Sequence, residues 1–324
     1  MTNVVGTPPA TVEAPAPAVR AKPKKRTWRE AIRRDWQLYS LAVLPLVFFL
    51  LFRYLPMVGN VLAFRRRPGG MFGTGEFTLR YFDRLLFNDP TFWKVFWNTV
   101  ILGGLTLVIV FPLPIILALM LNELRNQVFK RFVQSVSYLP HFFSIVVVVS
   151  MIAQFVSLDG LANQALRALG AEPIPFIQEP GWFRTIFVTS EIWQTVGWGT
   201  ILYLAALTTI DEDLYEAARI DGANRWRQTW HVTLPGIRPM MVTLLILNIG
   251  TFMNVSFEKV LLLVNPLTRE TGDVIATYVY RIFVSSPSLQ NYATAIGLFE
   301  AAIGLLLIAS ANLIARRTVG TSLW

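Results

Sequence analysis

The stretch from residue 209 to residue 238 has the composition of a docking element for another protein. Glu216, Arg219 and Asp221 carry charges that could fix the register of a partner, and Ala217 and Ala218 are small enough to let that partner approach closely. Leu214, Ala217, Ala218 and Asp221 recur at spacings of three and four residues, which places them on one face of a helix. The sequence therefore predicts a short, stiff docking helix.

Start and stop signals divide this stretch into two helices. Thr209 followed three residues later by Glu212 predicts a capping box at the start of the first helix. Gly222 is expected to interrupt that helix. A second helix should run from about Ala223 to just before Leu234-Pro235, because proline disfavours helix at the residue before it. The expected product is a helix-turn-helix against the membrane face, although amphipathic interfacial helices also occur without a partner.

Several polar and aromatic residues lie inside stretches that are otherwise apolar. Polar side chains cost free energy in hydrocarbon, so they should face protein or a water-filled path. Sugar hydroxyls need paired donors and acceptors, and sugar rings stack on aromatic faces, so this mixture predicts a saccharide pathway. Alternatively, the polar groups join helices by hydrogen bonds and the tryptophans lie at the membrane interface. The candidate pathway residues are Glu191, Trp193, Gln194, Trp198, Asn248, Asn254, Glu258 and Lys259.

A group of arginines could attract anions at the outer mouth of such a pathway. The run Arg65–Arg67 follows an apolar segment that itself contains Arg53. If these arginines and Lys259 face the pathway, electrostatic focusing favours an anionic oligosaccharide over a neutral one. Glu191 and Glu258 oppose this interpretation unless they are neutralised or paired. The alternative is a cluster whose long side chains reach the lipid headgroups.

The composition excludes several kinds of catalytic site. The chain has no cysteine and only two histidines, His141 and His231, so disulfides, thiolate metal sites and cysteine nucleophiles are excluded. It also has no Gly-x-x-x-x-Gly-Lys-Ser/Thr sequence, the loop that binds ATP phosphates in many ATPases. We therefore expect no catalytic residue, no metal site and no cofactor in this chain.

The elements that must position these residues are membrane helices. Of the 324 residues, 54% are hydrophobic and 15% are charged, whereas an ordinary soluble domain carries about 25% charged residues. Several apolar stretches reach the roughly 20 residues that a helix needs to cross about 30 Å of hydrocarbon. We predict an all-α membrane protein with six transmembrane helices. The predicted spans are Leu38–Leu62, Val95–Leu121, Phe132–Phe155, Phe183–Leu207, Pro239–Val264 and Ala293–Ile314.

The position of the basic residues orients these spans. A formal net charge of +9 could by itself suggest nucleic acid. However, residues 1–35 hold eight basic and three acidic residues directly before the first span, as the positive-inside rule predicts for a cytoplasmic tail. We expect a disordered cytoplasmic tail at 1–35, a membrane domain at 36–317 containing the loop 209–238, and a cytoplasmic tail at 318–324. No nucleic-acid partner is expected.

The loop 209–238 resembles the coupling loop of bacterial ABC import permeases. The resemblance rests on the order Glu216-Ala-Ala, three residues, Gly222, nine residues, Val232, one residue, Leu234-Pro235. Val232 stands at a position where isoleucine is commoner in that family. Segments such as Ser137-Tyr-Leu-Pro-His and the terminal Ser322-Leu-Trp extend the similarity over nearly all of residues 38–324. They resemble the oligosaccharide and lipoprotein-type branch of sugar importer permeases.

This resemblance implies a type I importer fold with cytoplasmic coupling helices, in the bacterial inner membrane, with both termini in the cytoplasm. It implies a second homologous permease subunit, two ATPase subunits that hold ATP and Mg²⁺, a periplasmic solute-binding protein and membrane lipid as partners. Glu216 would meet a basic residue in a groove of the ATPase, Gly222 would make the tight turn, and Leu234-Pro235 would join the loop to the next span. The implied cargo is an oligosaccharide, and more specifically an acidic one such as alginate.

Two other functions fit parts of the sequence. An ion-coupled secondary transporter of a small polar solute could use Glu191, Glu258 or Glu300 as proton or sodium sites, although the chain shows no obvious inverted repeat. An intramembrane enzyme could use Glu191 and Glu258 as acid and base, but no serine–histidine pairing or metal-ligand spacing accompanies them. Copurification with an ATPase would exclude the secondary transporter.

Overall fold

The computed structural model describes residue 28 and residues 34–67, 72–318 and 320. The predicted tails at 1–35 and 318–324 lie almost wholly outside these residues. The chain divides into two compact units, residues 1–57 and residues 58–324.

A single long helical run dominates the first unit. Helix α1 covers Trp36–Phe49 and passes through a π-helical turn, Leu50–Tyr54, into the short helix α2, Leu55–Val58. No side chain of α1 or of the π turn is buried within the chain. A helix that is apolar on all sides is suited to lipid or to another protein rather than to water. The first predicted span is therefore confirmed as a helix.

Helices also make up most of the second unit. After a 3-10 turn, Gly59–Phe64, an antiparallel hairpin pairs β1, Arg65–Arg67, with β2, Thr74–Phe77. The helices that follow are α3 Arg80–Phe87, α4 Pro90–Leu105, α5 Pro112–Glu123, α6 Gln127–Tyr138, α7 Ile145–Phe155, α8 Leu161–Ala168, α9 Pro180–Leu207, α10 Glu212–Ile220, α11 Arg225–Gln228, α12 Leu234–Gly250, α13 Phe257–Leu263, α14 Arg269–Gly272, α15 Ile275–Ser285 and α16 Gln290–Thr318.

Four helical runs among the described residues are long and apolar enough to cross a membrane, and a bent pair of helices makes a fifth. The runs are Trp36–Phe64, Pro90–Glu123, Arg225–Gly250 and Pro287–Thr318, and the bent pair is Gln127–Phe142 with Ile145–Phe155. Helix α9 has the length of a span, 28 residues, but polar residues such as Glu191 and Gln194 make its middle less apolar. The all-α membrane fold is confirmed, and the count of six spans remains a prediction.

The third predicted span, Phe132–Phe155, is bent rather than straight. Between the two helices that form it, the chain bends by 104°. Pro140 lies in a 3-10 turn just before the bend, and the Ser144 hydroxyl caps α7 by accepting from the N–H of Val147. The two helices taken together are still apolar enough for one span, so mean hydropathy alone could not reveal the bend.

The fifth predicted span, Pro239–Val264, is interrupted, and its prediction as one continuous helix is wrong. Helix α12 ends at Gly250, and α13 begins only at Phe257. The six residues between them form turns and irregular backbone. Their apolar members, such as Phe252 and Met253, kept the hydropathy of the segment high although the helix stops.

Helix α9 is at the centre of the packing in the second unit. Phe187 belongs to an apolar cluster with Leu102 of α4 and Val260 of α13. Nearer the other end of α9, Tyr203 packs in a second cluster with Ile237 of α12. The segments that carry the coupling loop and the candidate pathway residues are therefore joined through one continuous helix.

Candidate functional site

The first helix of the coupling loop, residues 209–238, is capped by Asp211 rather than by Thr209. The Asp211 carboxylate accepts from the N–H of Asp213 at 3.1 Å, which is also the favourable placement for a negative charge at a helix N-terminus. The Thr209 hydroxyl instead donates to the carbonyl of Ala206, in the last turn of α9. The predicted capping box is therefore wrong, because Thr209 lies in the turn after α9 and its hydroxyl bonds back to that helix.

Gly222 ends α10 as predicted. Its φ is +75°, and the N–H groups of Gly222 and Ala223 donate to the carbonyls of Arg219 and Ala218 at 3.0 and 2.8 Å. These two bonds form a Schellman motif, in which a left-handed residue follows the helix. Nothing lies within 4 Å of where a Cβ would be placed on Gly222. Backbone conformation, rather than lack of space, therefore favours glycine here.

The second helix of the loop continues into the membrane span, and the prediction that it stops before Leu234-Pro235 is wrong. Asn224 caps α11 by accepting from the N–H of Arg227 at 2.9 Å, and a π turn, Thr229–Thr233, joins α11 to α12. Proline normally kinks a helix because it lacks an N–H and crowds the carbonyl four residues earlier. The wider π turn precedes Pro235 and relieves that conflict. The product is one helical run, Arg225–Gly250.

The coupling loop presents an exposed surface supported by two internal contacts. The Tyr215 and Thr233 hydroxyls are 3.0 Å apart, and Arg225 Nη1 lies 2.9 Å from Glu123 Oε2 at the end of α5. Sequence reasoning missed both contacts, since no local pattern links such distant positions. Ile220, at the tip, is 87% exposed. The predicted coupling residues Glu216, Ala217, Arg219, Asp221, Gly222 and Pro235 are exposed, and Ala218 and Leu234 are half-buried.

Glu191 and Lys259, both predicted on the pathway, form a buried ion pair. Lys259 Nζ lies 2.8 Å from Glu191 Oε1, and the two side chains are 1% and 9% exposed. The Ser256 hydroxyl donates to the same carboxylate oxygen at 2.7 Å. The ammonium group also lies 6.0 Å from the centre of the Phe187 ring. The lysine N–H groups are not aligned on any acceptor, so the contact is primarily one between charges.

Asn248 and Asn254 line a cavity of about 140 Å³ beside the break that follows α12. The Thr106 and Thr251 hydroxyls, also in its wall, donate their protons to main-chain carbonyls. They therefore present lone pairs to the cavity, which suits ligands that carry hydroxyl groups. The remaining lining residues are Gly103, Leu107, Phe252, Val255 and Ser256. The hydroxyl residues of this wall were missed from the sequence because threonine and serine are common in spans.

The aromatic candidates of α9 are partly exposed. Trp198 stacks on His141 with ring centres 4.5 Å apart and planes at 5°, meets Phe142 edge to face at 5.5 Å, and remains 42% exposed. Trp193 is exposed and Gln194 is half-buried. Glu258 is exposed and has no ion-pair partner among the described residues. Glu258 is therefore exposed while the adjacent Lys259 is buried, as expected for adjacent residues, which point to different sides of a helix.

The three consecutive arginines form strand β1 and are held by their backbone. The carbonyls of Arg65 and Arg66 accept from Asn291 Nδ2 and the Tyr81 hydroxyl at 2.6 and 3.0 Å. The guanidinium of Arg65 donates to the Gly75 carbonyl across the hairpin at 3.2 Å. Arg66 and Arg67 are exposed, and neither makes an ion pair with any residue that the structure describes. Two guanidinium groups therefore remain available to an anion.

Arg53 belongs to the first unit. It lies in the π turn Leu50–Tyr54 and is exposed.

Asp89 is the centre of a buried polar cluster that the sequence did not suggest. Its Oδ2 accepts from the Tyr292 and Tyr278 hydroxyls at 2.5 and 2.8 Å, and its Oδ1 accepts from the N–H of Phe92 at 3.1 Å. Burial raises the pKa of the Asp89 carboxyl, but the hydrogen bonds from Tyr292, Tyr278 and the backbone outweigh burial and lower that pKa. The cluster joins the start of α4 to α15 and α16.

Two curated relatives from Bacillus subtilis align with nearly the whole chain. Protein LplB is 43% identical over 293 residues, which are 90% of this chain and 92% of LplB. The polygalacturonan/rhamnogalacturonan transport system permease protein YteP is 44% identical over 315 residues, which are 95% of this chain and 97% of YteP. Both alignments include the coupling loop and the interrupted span.

A solved structure has the same fold. It is a bacterial ABC transporter involved in the import of the acidic polysaccharide alginate, and one of its chains is 39% identical with a TM-score of 0.83, covering 90% of this chain and 98% of that one. A second structure captures an alginate transporter in complex with its alginate pentasaccharide-bound periplasmic protein, at 38% identity and a TM-score of 0.83. The expected type I importer permease fold is therefore confirmed.

The family described as binding-protein-dependent transport system inner membrane component matches residues 110–320. This match contains α9, the coupling loop, the interrupted span and α16. The chain therefore belongs to that family, whose members are non-catalytic permease subunits of ABC importers in the inner membrane.

Proposed function

We propose that this permease subunit moves an acidic oligosaccharide such as alginate from a periplasmic binding protein into the cytoplasm. A second homologous permease subunit completes the pathway, and two ATPase subunits that bind ATP and Mg²⁺ supply the energy. Both termini and the coupling loop lie in the cytoplasm. The observation that carries this proposal is the exposed helix-turn-helix that continues without interruption into the span Arg225–Gly250.

The coupling loop has the properties that an ATPase dock requires. Glu216, Arg219 and Asp221 are exposed and make no ion pair with a described residue, so their charges are available to a partner. Gly222 fixes the angle between the two helices through its left-handed backbone. In this proposal Glu216 pairs with a basic residue of the ATPase. Leu234-Pro235, the first two residues of α12, then carry the movement of the coupling loop into that helix.

The proposed cargo pathway uses the polar and aromatic groups that remain accessible. Asn248 and Asn254 offer amide donors and acceptors, and Trp193 and Trp198 offer aromatic faces for sugar rings. Gln194 and Glu258 complete this set. Glu191 and Lys259 contribute no net charge to it, because each neutralises the other. The pairing removes the Glu191 carboxylate as an objection to an anionic cargo and the Lys259 ammonium as a support for one. Glu258 is exposed and has no ion-pair partner among the described residues, so the positive charge that favours an anion must come from the arginines.

Two observations support an acidic cargo over a neutral one. Among the relatives, one transporter imports the acidic polysaccharide alginate, and another carries polygalacturonan or rhamnogalacturonan. Within this chain, Arg66 and Arg67 are exposed on a hairpin fixed by its backbone, and no residue in the described part of the chain pairs with them. Arg65 supports the hairpin, and Arg53 adds a further exposed charge in the first unit.

The test of the cargo is the salt dependence of uptake by the variant Arg66→Gln/Arg67→Gln. Uptake of an acidic oligosaccharide should fall up to about tenfold at about 0.01 M salt and much less at about 0.15 M, where the Debye length shrinks from about 30 to about 8 Å. A neutral oligosaccharide of equal length should be unaffected. The matched control is Arg125→Gln/Arg131→Gln, which removes two exposed arginines on the proposed cytoplasmic side. Unchanged acidic uptake at both salt concentrations would contradict the proposed role of the hairpin.

A further inference from the structure

We propose that the Glu191–Lys259 pair anchors α13, the outer half of the interrupted span, to α9, so that residues 251–254 absorb any movement of α12, the inner half. Glu191 and Lys259 are positioning residues in this account and make no contact with cargo. The direction in which movement is delivered rests on the proposed function of the coupling loop. The anchor itself rests on contacts within the second unit.

The inner half of the interrupted span is one continuous helical run from the coupling loop to the break after Gly250. The run Arg225–Gly250 has 26 residues, or about 39 Å at about 1.5 Å per residue. It begins directly after the Gly222 turn, and the π turn before Pro235 keeps it helical. A displacement of the coupling loop therefore reaches Gly250 without passing through a non-helical joint.

The joint lies at residues 251–254, because Val255 is buried in the Phe187 cluster and Ser256 is bonded to Glu191. The Thr251 N–H makes the last hydrogen bond of α12 to a carbonyl four residues earlier, the N–H groups of Phe252 and Asn254 make only turn bonds to carbonyls three residues earlier, and α13 begins at Phe257. The carbonyl of Phe252 lies so close to Gly103 that a Cβ there would be 2.5 Å from the oxygen. The same segment borders the cavity that Asn248 and Asn254 line, whose wall also includes Gly103 and Phe252. This backbone therefore contacts α4 closely at Gly103 and has open space beside that contact.

The outer half, α13, is fixed to α9 by charge and by packing. Lys259 pairs with Glu191 at 2.8 Å and is 1% exposed. Ser256, immediately before α13, donates to the same carboxylate, and Val260 packs in the cluster around Phe187. Separating the pair would leave two buried charges without partners, which is strongly unfavourable. Helix α13 should therefore move together with α9.

Spin labels can measure this arrangement directly, because the chain has no native cysteine. One pair of labels, at Leu202→Cys on α9 and Leu262→Cys on α13, measures the distance between α9 and the anchored outer half. A second pair, at Thr189→Cys on α9 and Leu247→Cys on α12, measures the distance between α9 and the inner half. All four positions are exposed. Distances between labels are measured in the assembled importer, without nucleotide and in a vanadate-trapped state.

We expect the Leu202–Leu262 distances to stay constant between the two states while the Thr189–Leu247 distances shift. In Lys259→Met, which leaves the Glu191 carboxylate buried without its partner, the nucleotide-free Leu202–Leu262 distribution should broaden by about a factor of two. The exchanged pair, Glu191→Lys/Lys259→Glu, should restore a narrow distribution. A narrow distribution in Lys259→Met would overturn the anchor. No shift of either label pair on trapping would instead contradict the proposed function of the coupling loop.

Discussion

Two buried carboxylates, Glu191 and Asp89, are stabilised by different partners. Glu191 is neutralised by the Lys259 ammonium, so no net charge is buried at that point. Asp89 has no basic partner within ion-pair distance among the described residues, and hydrogen bonds from Tyr278, Tyr292 and the backbone stabilise its charge. Bonds to a charged group are worth about 1.5–3 kcal/mol each. Asp89 is therefore a strong local tie between α4, α15 and α16.

Replacing Asp89 with asparagine should lower the free energy of unfolding by about 1–3 kcal/mol, because an amide oxygen is a weaker acceptor for two tyrosine hydroxyls. Thermal unfolding of the detergent-solubilised protein measures the effect. Tyr278→Phe and Tyr292→Phe are the matched controls, since each removes one donor and leaves the carboxylate in place. An unfolding temperature of Asp89→Asn equal to that of the wild type would contradict the assigned role.

The contribution of Asp89 should also depend on pH. Its pKa is lowered in the folded protein, so its stabilising contribution is present above the unfolded pKa of about 3.9 and is lost as pH falls through the folded value. The difference in unfolding temperature between wild type and Asp89→Asn should therefore be constant from about pH 8 to about pH 5 and shrink below about pH 4. A difference that grows with acidity would contradict this sign.

Among the elements, the coupling loop combines a fixed turn with a long helix. The Schellman motif at Gly222 sets the angle between α10 and α11, and the π turn lets α11 continue through Pro235. The Arg225–Glu123 contact is half-exposed, so it is worth at most about 1 kcal/mol. The backbone, more than this ion pair, therefore gives the loop its stiffness.

Gly222→Val should uncouple ATP hydrolysis from uptake while leaving membrane insertion intact. A β-branched residue in the left-handed region costs about 1–2 kcal/mol or more, which reduces the population of the turn about 5- to 30-fold. Uptake and ATP hydrolysis are measured together in proteoliposomes. Gly222→Asn is the control, because asparagine tolerates this backbone conformation and should retain most of the coupling. Normal uptake by Gly222→Val would count against the loop as the transmitter.

The helix boundaries were predictable from the sequence where the apolar composition ends at the same position as the helix. The first, second and sixth predicted spans each lie inside an observed helical run, because their apolar runs end where the helices end. The bend near Ser144 and the break after Gly250 were not predictable from mean hydropathy, since apolar segments lie on both sides of each and outweigh the few polar residues between them. Pro235 was misjudged as a stop because the compensating π turn has no sequence signal of its own.

The candidate site was predictable only in part, because contacts between distant segments leave no local pattern in the sequence. The sequence singled out Glu191 and Lys259 as unusual in a membrane segment, which the structure explains by pairing them. It could not show that they pair, because that contact depends on how α13 packs against α9. The same is true of Asp89, whose tyrosine partners lie about 200 positions later in the chain.

For the molecule as a whole, the distribution of basic residues is the basis of the proposed orientation in the membrane. The proposal places the termini and the coupling loop in the cytoplasm, and the segment between α8 and α9 outside. It also requires α9 to cross the membrane, which its 28 residues allow.

This orientation predicts opposite labelling of two introduced cysteines. A membrane-impermeant thiol reagent added to intact spheroplasts should label Leu169→Cys and leave Ile220→Cys unlabelled until the membrane is opened. Both positions are highly exposed, and the native chain has no cysteine to interfere. Labelling of Ile220→Cys from outside would show that the loop is not cytoplasmic and that the proposed topology is wrong.

The central claim is that this subunit works only as part of an ATP-driven complex fed by a binding protein. Its most direct test is mass spectrometry of the complex that copurifies from gently solubilised membranes, followed by assays of its ATP hydrolysis with acidic and neutral oligosaccharides. We predict a second permease and an ATPase in the complex, with hydrolysis stimulated most by the binding protein loaded with an acidic oligosaccharide. Recovery of this chain without an ATPase, with uptake driven by protons or sodium, would contradict the account and support an ion-coupled transporter.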